Sequence, residues 1–388
     1  MTHNSHVSLN PMADLEQGLT NKKLVEHLLR WWRRRSKDAP ESSGAQQKRN
    51  KAFREDLVRR AYESAAAAEA EGDIEKMHRR AYKLIRLELY ERAWELRLHA
   101  AELMQSSPLP EWDGRDLAGR IILVRAHTPR HRIGEELRMS RFIGPAAQQA
   151  RRCIVLAEPR LVTLLRRSFA RVDARPRGVN DVGAFAEADV AAYYETVALH
   201  HARTAEELKR SFLPLRADFA RTAALRARYE SRSTGPLIGI AWGSSNANKV
   251  LPPLKAWGGL LEWPSATFVS LQYGDVDYDL AQLRNLGGRI IHDPEIDQMV
   301  DLDDFAAQIA ALDAVVSISN TTIDMAGMLG MPTVHVRDDI PSAVWPRSGP
   351  SPWYPDMIFV YRDGRPWSKV FNEVRVHVEN IITAARDK

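Results

Sequence analysis

From Gly119 to about Val336 the chain alternates short apolar runs with segments of helical character, and this alternation constrains its fold more than any other feature. The runs Arg120–Arg125, Cys153–Ala157, Arg171–Ala174, Leu237–Trp242, Thr267–Gln272, Arg289–Ile291, Ala314–Ser319 and Thr333–Val336 are too short and too continuously apolar for one-sided strands. A strand buried on both faces needs helices above and below it, which implies parallel, doubly wound sheets. A helical stretch from about Val190 to Arg232 divides the runs into two groups. The segment Ser231-Arg232-Ser233-Thr234-Gly235-Pro236 marks the boundary between them. The expected architecture is α/β, with two Rossmann-like halves facing a cleft.

Upstream the pattern differs. Residues from Phe53 to Met104 are strongly helical, with an alanine run at Ala65–Ala68 and a break at Gly72-Asp73. Helices over Arg54–Glu71 and Ile74–Met104, the latter open to division, would form a hairpin similar to one tetratricopeptide unit. Such a unit cannot bury its own face and must pack on something. Lys37–Lys51, with Pro40, Ser42, Ser43 and Gly44, reads as a linker. Before it, Leu24–Arg35 reads as a short amphipathic helix in which Trp31 and Trp32 stand beside arginines. Residues 24–37 suit peripheral contact with an anionic membrane or a partner. The expected domains are a basic arm at 1–50, a helical hairpin at 51–107, an acceptor-side half at 108–232 and a nucleotide-side half at 233–388.

Composition narrows the chemistry. Cys153 is the sole cysteine, so neither an intrachain disulfide nor a cysteine-based zinc site is available. No stretch approaches the ~20 apolar residues of a membrane span, and the N-terminus lacks a signal-peptide core. A cytoplasmic protein is the expectation. The net charge of +5 suits an anionic ligand, but no RNA-binding aromatic signature or zinc-finger spacing accompanies the basic residues, and no nucleic acid is expected. No His, Asp or Glu spacing makes a metal site.

Ligands of open parallel sheets bind beyond the carboxyl ends of the strands. Three loops of the second half fit. In Trp242-Gly243-Ser244-Ser245-Asn246-Ala247-Asn248-Lys249, small residues let backbone N–H groups approach an oxyanion and Lys249 supplies a point charge. Asn320-Thr321-Thr322 ends a strand and begins a helix, whose free N–H groups and two hydroxyls suit a diphosphate. Gln272 and Tyr273, at a third strand end, suit a base, although a plain turn at Gly274-Asp275 explains them equally well.

Several segments stand in the order and spacing of a known group: Pro110-Glu111-Trp112-Asp113-Gly114, Gly239–Ser244, Phe268–Asp275, Ile296–Phe305, Asp313–Pro332 and Ser351-Pro352-Trp353-Tyr354-Pro355. On these, the chain resembles bacterial TPR-associated GT-B glycosyltransferases, which are similar to heptosyltransferases and distantly to O-GlcNAc transferase. The resemblance covers roughly residues 108 to 388. It implies metal-independent sugar transfer from a nucleotide diphosphate sugar to a protein or glycan, with no cofactor. It also implies a diphosphate held by Asn320, Thr321 and Thr322, with Lys249 as the lysine of the tryptophan loop. Trp242, Ser244, Gln272 and Tyr273 complete the expected donor site.

The sequence departs from this group at three places. The first-half loop reads His127-Thr128-Pro129-Arg130-His131-Arg132-Ile133-Gly134-Glu135-Glu136, so Glu135 stands where the group has an aspartate that is the usual candidate base. Ser319 and Asp324 flank Asn-Thr-Thr where the group has aspartate and histidine, and Gly243 follows the tryptophan in place of a charged residue. Glu135 is the expected catalytic base, a simple first-turn helix acid being the plainer account. Two rival readings are a catalytically silent GT-B protein that binds a nucleotide sugar or a partner, and a nucleotide-sugar epimerase.

Overall fold

The computed structural model of the chain describes residues 44–104, 107–126, 133–233, 235–246, 249–338, 345–346 and 350–387, with side chains from Lys51 onward. The helix expected at Leu24–Arg35 and the loop His127–Arg132 lie outside the described residues. Two compact units divide the chain, Met1–Arg60 and Ala61–Lys388. The described part of the first is helical and belongs to the helix Gly44–Ala70, where Asp56 pairs with Arg59 and Arg60 one turn on. The linker expected up to Lys51 is therefore helical from Gly44. The breakers Pro40 and Gly44 lie at or before its start, while Gln46, Gln47, Lys48, Arg49 and Lys51 are good helix formers.

In the second unit the stretch Ile74–Met104 divides into helices Ile74–Ile85 and Tyr90–Met104, joined by a turn with Glu88 at φ 64°. Their buried face carries Met77, Ala81, Leu84, Tyr90, Ala93 and Trp94. Trp94 meets Phe142 and Trp353 edge to face, and its indole N–H donates to Ala202 O at 2.8 Å. The hairpin thus supplies core to the sheet domain.

Among the described residues there are two parallel sheets. The first, in the order β3-β2-β1-β4, contains β1 (Ile121–Arg125), β2 (Arg152–Ala157), β3 (Val172–Pro176) and β4 (Val190–Tyr193). The second has the order β10-β9-β8-β5-β6-β7. Its strands are β5 (Leu237–Ala241), β6 (Thr267–Ser270), β7 (Ile290–Ile291), β8 (Ala314–Ile318), β9 (Thr333–Arg337) and β10 (Met357–Tyr361). Residues of β1, β5 and β8 are buried throughout, as strands covered on both faces require. Chain order reverses between β1 and β4 in one sheet and between β5 and β8 in the other. Such switch points open crevices at the carboxyl ends of the strands.

The two sheets repeat one device. The Asp189 carboxylate accepts from Ile121 N at 2.7 Å, and the Asp189 N–H donates to Ile121 O. Asp313 does the same to Leu237 N, also at 2.7 Å, and to Leu237 O. In each sheet an aspartate before the crossing strand locks the first strand's register. The sequence reading missed β4 and β10. Val190-Ala191-Ala192-Tyr193 is alanine-rich and runs straight into the helix Tyr194–His201, so its short strand was absorbed into the helical stretch expected from Val190.

The halves meet through arginines on the first-sheet side and acceptors on the second. Arg167 forks onto Asp303 at 2.6 Å through both nitrogens, and Arg221 does the same to Asp304. Arg141, wholly buried, donates to Trp353 O at 2.9 Å and Leu208 O at 2.5 Å. No described helix is long and apolar enough to cross a membrane.

Candidate functional site

At the second switch point the loops after β5, β6 and β8 converge and are stitched together by their own polar side chains. Gln272 Oε1 accepts from Trp242 N at 3.0 Å and Gly243 N at 2.6 Å. Position 243 is glycine for a steric reason, since a Cβ there would lie 2.9 Å from the Gln272 amide nitrogen. From the other side Asn320 donates to Gly243 O at 3.1 Å, while its Oδ1 accepts from Thr322 N and Ser317 Oγ. Asn320 is thus the N-cap of the helix Thr321–Met328 and a clasp on the tryptophan loop at once. Lys249 donates to Ser244 Oγ at 3.2 Å and to Ser319 O. Tyr273 OH accepts from Ser245 N at 2.5 Å.

These contacts sort the expected donor residues. Gln272, Asn320 and Tyr273 brace the loops. Trp242 is buried, and its indole N–H donates to Asp279 at 2.7 Å, so the ring forms a wall beneath the loop and does not face outward. Ser244, Lys249 and Thr321 remain half-exposed at the convergence. Thr322 is buried at 1% exposure, and its hydroxyl has no hydrogen-bond partner among the described residues. An unpaired hydroxyl at a helix start is unusual, because capping by Asn320 leaves it with nothing to do.

The sequence reading missed His335. It lies on β9 with Nε2 2.8 Å from Ser319 Oγ and within 3.4 Å of an Arg337 nitrogen. Burial, then the charges of Arg337, Lys249 and Arg138, hold its pKa well below the usual imidazole range, so the ring is neutral at pH 7. The signal was present in Thr333-Val334-His335-Val336-Arg337, where polar residues at alternate positions share one face of an apolar strand.

At the first switch point Glu135 sits in the first turn of the helix Ile133–Met139, whose companion is Thr321–Met328 across the seam. The two helices approach so closely that a Cβ on Gly134 would lie 2.5 Å from Asp324 Oδ2. Asp324 itself accepts from Arg138 at 3.2 and 3.4 Å and from Tyr354 OH at 2.7 Å. The acid that replaces the expected histidine is therefore a neutralised latch between the halves. Glu135 accepts from Arg97 Nη2 at 2.6 Å, and Arg97 Nε also donates to the fully buried Glu195 at 2.9 Å. Neither Arg97 nor Glu195 was singled out from sequence, because only the fold brings Tyr90–Met104 and Tyr194–His201 to the same seam.

Tyr354 also fixes the back of the Thr321–Met328 helix. A Cβ at Gly327 would meet its ring at 2.6 Å, so Gly327→Ala forces the ring away from Asp324. The expected cost is about 1–3 kcal/mol of stability, read by denaturant titration. An unchanged midpoint would show that the ring has room to shift.

No family model matches the chain. Protein FlbA of Caulobacter vibrioides (strain ATCC 19089 / CIP 103742 / CB 15) is 30% identical over 293 residues, which are 69% of this chain and 48% of FlbA. The chain thus spans about half the length of that curated relative. Among solved structures, E. coli ADP-heptose LPS heptosyltransferase II aligns at 14% identity with a TM-score of 0.48, covering 67% of this chain and 98% of its own. The glycosyl transferase family 9 structure from Veillonella parvula DSM 2008 aligns at 13% identity with a TM-score of 0.51, covering 70% of this chain and 99% of its own. With two parallel sheets, each reversing at its own switch point, and with nearly all of that glycosyl transferase matched, the chain has the GT-B glycosyltransferase fold.

Proposed function

We propose that the protein transfers a sugar from a nucleotide diphosphate sugar to a hydroxyl of a protein or glycan acceptor, without a metal or other cofactor. The observation that carries this reading is the buried Thr322 hydroxyl, without a hydrogen-bond partner among the described residues, at the start of the Thr321–Met328 helix, where Thr321 stands next to it and Lys249 reaches Ser319 O. Helix-start N–H groups, hydroxyl donors and a lysine together favour a diphosphate. On this reading 108–232 is the acceptor half and 233–388 the donor half.

On this reading Glu135 is the base and the second-half loops hold the leaving diphosphate. The acceptor oxygen attacks the anomeric carbon while Glu135 takes its proton, and the bond from that carbon to the diphosphate oxygen breaks. The nucleoside diphosphate leaves with the electron pair, its charge met by the helix start, Thr321 and Lys249. Ser244, Gln272, Tyr273 and the Trp242 backbone shape the nucleotide side of the pocket.

Thr321→Ala with Thr322→Ala removes two hydroxyl donors to a charged group, each contributing ~1.5–3 kcal/mol. The Asn320 cap stays in place, so stability should hold. Affinity for UDP, ADP or GDP, measured by calorimetry, should fall well over tenfold for whichever binds wild type. Equal affinity in the double variant would remove the phosphate assignment.

A silent, donor-binding protein is the second reading. It is favoured by the Arg97 contact that occupies Glu135. Donor binding without turnover would support it.

A further inference from the structure

Arg97 comes to the first switch point from outside both sheets, on the helix Tyr90–Met104. Its Nη2 contacts Glu135 Oε1 at 2.6 Å and Glu195 Oε1 at 2.9 Å, and its Nε also bonds Glu195. Three elements meet in this cluster: the hairpin helix, the helix after β1 and the helix after β4. The side chains of Glu195 and Arg97 are 0% and 8% exposed, whereas that of Glu135 is 35% exposed. Two members are thus enclosed by protein and the third is partly open to solvent. A desolvated ion cluster adds little stability over apolar packing, so its position at a ligand-binding crevice calls for another reason.

We propose that Arg97 and Glu195 are positioning residues that aim Glu135 and set its proton affinity, which makes the helical hairpin a working part of the active site. This rests on reading Glu135 as the base. The guanidinium is gripped by Glu195 through both Nε and Nη2, so it presents Nη2 to Glu135 from a fixed direction, as a rotating ammonium cannot. The Arg97 charge favours the carboxylate form of Glu135, and the Glu195 charge, held by the same nitrogen, opposes it. Burial would lower the pKa of Arg97, but Glu135 and then Glu195 outweigh it and raise it, so Arg97 stays charged throughout.

Among the described residues, the other charged or titratable groups around the cluster are Tyr193 and Tyr194 beside Glu195, the buried Glu136–Arg177 pair, the Arg125–Glu111 pair at the end of β1, and the Arg138–Asp324 pair on the facing side of the Ile133–Met139 helix. Glu195→Gln still accepts from Arg97 but no longer competes for its charge, so Glu135 should titrate lower. Arg97→Lys offers one ammonium, which stays with the fully buried Glu195, so Glu135 should titrate higher.

The test is a carbon-13 NMR titration of the full chain with labelled glutamate, the Glu135 signal being assigned by its loss in Glu135→Gln. Glu195→Gln should move the Glu135 midpoint down by about one pH unit, and Arg97→Lys should move it up by a similar amount. Opposed shifts mark a carboxylate whose proton affinity is set between these two charges. Unmoved midpoints, or two shifts of one sign, overturn the proposal. Should Glu195→Gln fail to fold, the upward shift in Arg97→Lys decides alone. Nucleoside diphosphate release from UDP-, ADP- and GDP-linked hexoses, with water as acceptor, tests the underlying reading separately. A wild-type rate in Glu135→Gln removes the base and the proposal with it. A lost rate in Glu135→Gln beside unmoved titrations overturns the proposal alone.

Discussion

Glu135→Gln is expected to lower sugar transfer by ~100- to 10,000-fold, the usual contribution of a general base, while donor affinity stays within a few-fold. The glutamine oxygen can still accept from Arg97 Nη2, so the side chain keeps its place and loses only its capacity to take a proton. Glu135→Asp retracts the carboxylate by one methylene and weakens the 2.6 Å contact, yet it restores a functional acid and should retain substantial activity. If Glu135 is only a first-turn helix acid, Glu135→Gln costs no more than ~1 kcal/mol of stability and leaves turnover unchanged. Transfer assays run beside donor calorimetry on the same variants separate these outcomes. Full turnover in Glu135→Gln would rule out the base, and donor binding without turnover in wild type would favour the silent protein.

Arg97→Ala should destabilise the seam strongly, by about 3–5 kcal/mol, because it takes the Arg97 cation away from the fully buried Glu195. Most of that cost belongs to the stranded charge and little to the lost contact. Arg97→Ala combined with Glu195→Gln should therefore recover a large share of the stability, in a strongly non-additive cycle. Urea unfolding of the four proteins measures it. Additive losses would mean that Arg97 stabilises chiefly through packing of its stem, and that Glu195 finds another partner when it is removed.

The alternation of apolar runs was enough to place most strands within a residue or two, because strands buried on both faces leave an unmistakable pattern. Val190–Tyr193 escaped because two alanines and a directly following helix erase the contrast on which that pattern depends. Its aspartate was the missed clue: Asp189 stands before β4 as Asp313 stands before β8, each pinning the first strand of its sheet. The donor loops were legible as places but not as roles. Gln272 and Asn320 have the right chemistry for a ligand, and the fold uses that same chemistry to tie loop to loop. The least legible group was Arg97 with Glu195. Residues 97, 135 and 195 are far apart in the chain, and no local pattern announces that they share a guanidinium.

The strands of each sheet are contiguous in the chain, with no exchange between them: β1 to β4 fall within 121–193 and β5 to β10 within 237–361. During synthesis the first sheet can therefore form, with the Tyr90–Met104 helix already emerged to cover it, before the ribosome has made β5. Arg141 can donate to Leu208 O within the first half, but its bond to Trp353 O needs a segment made more than two hundred residues later. Until that segment arrives, the nascent first half carries an arginine at a surface destined for burial. A cation at such a surface disfavours apolar association between unfinished chains.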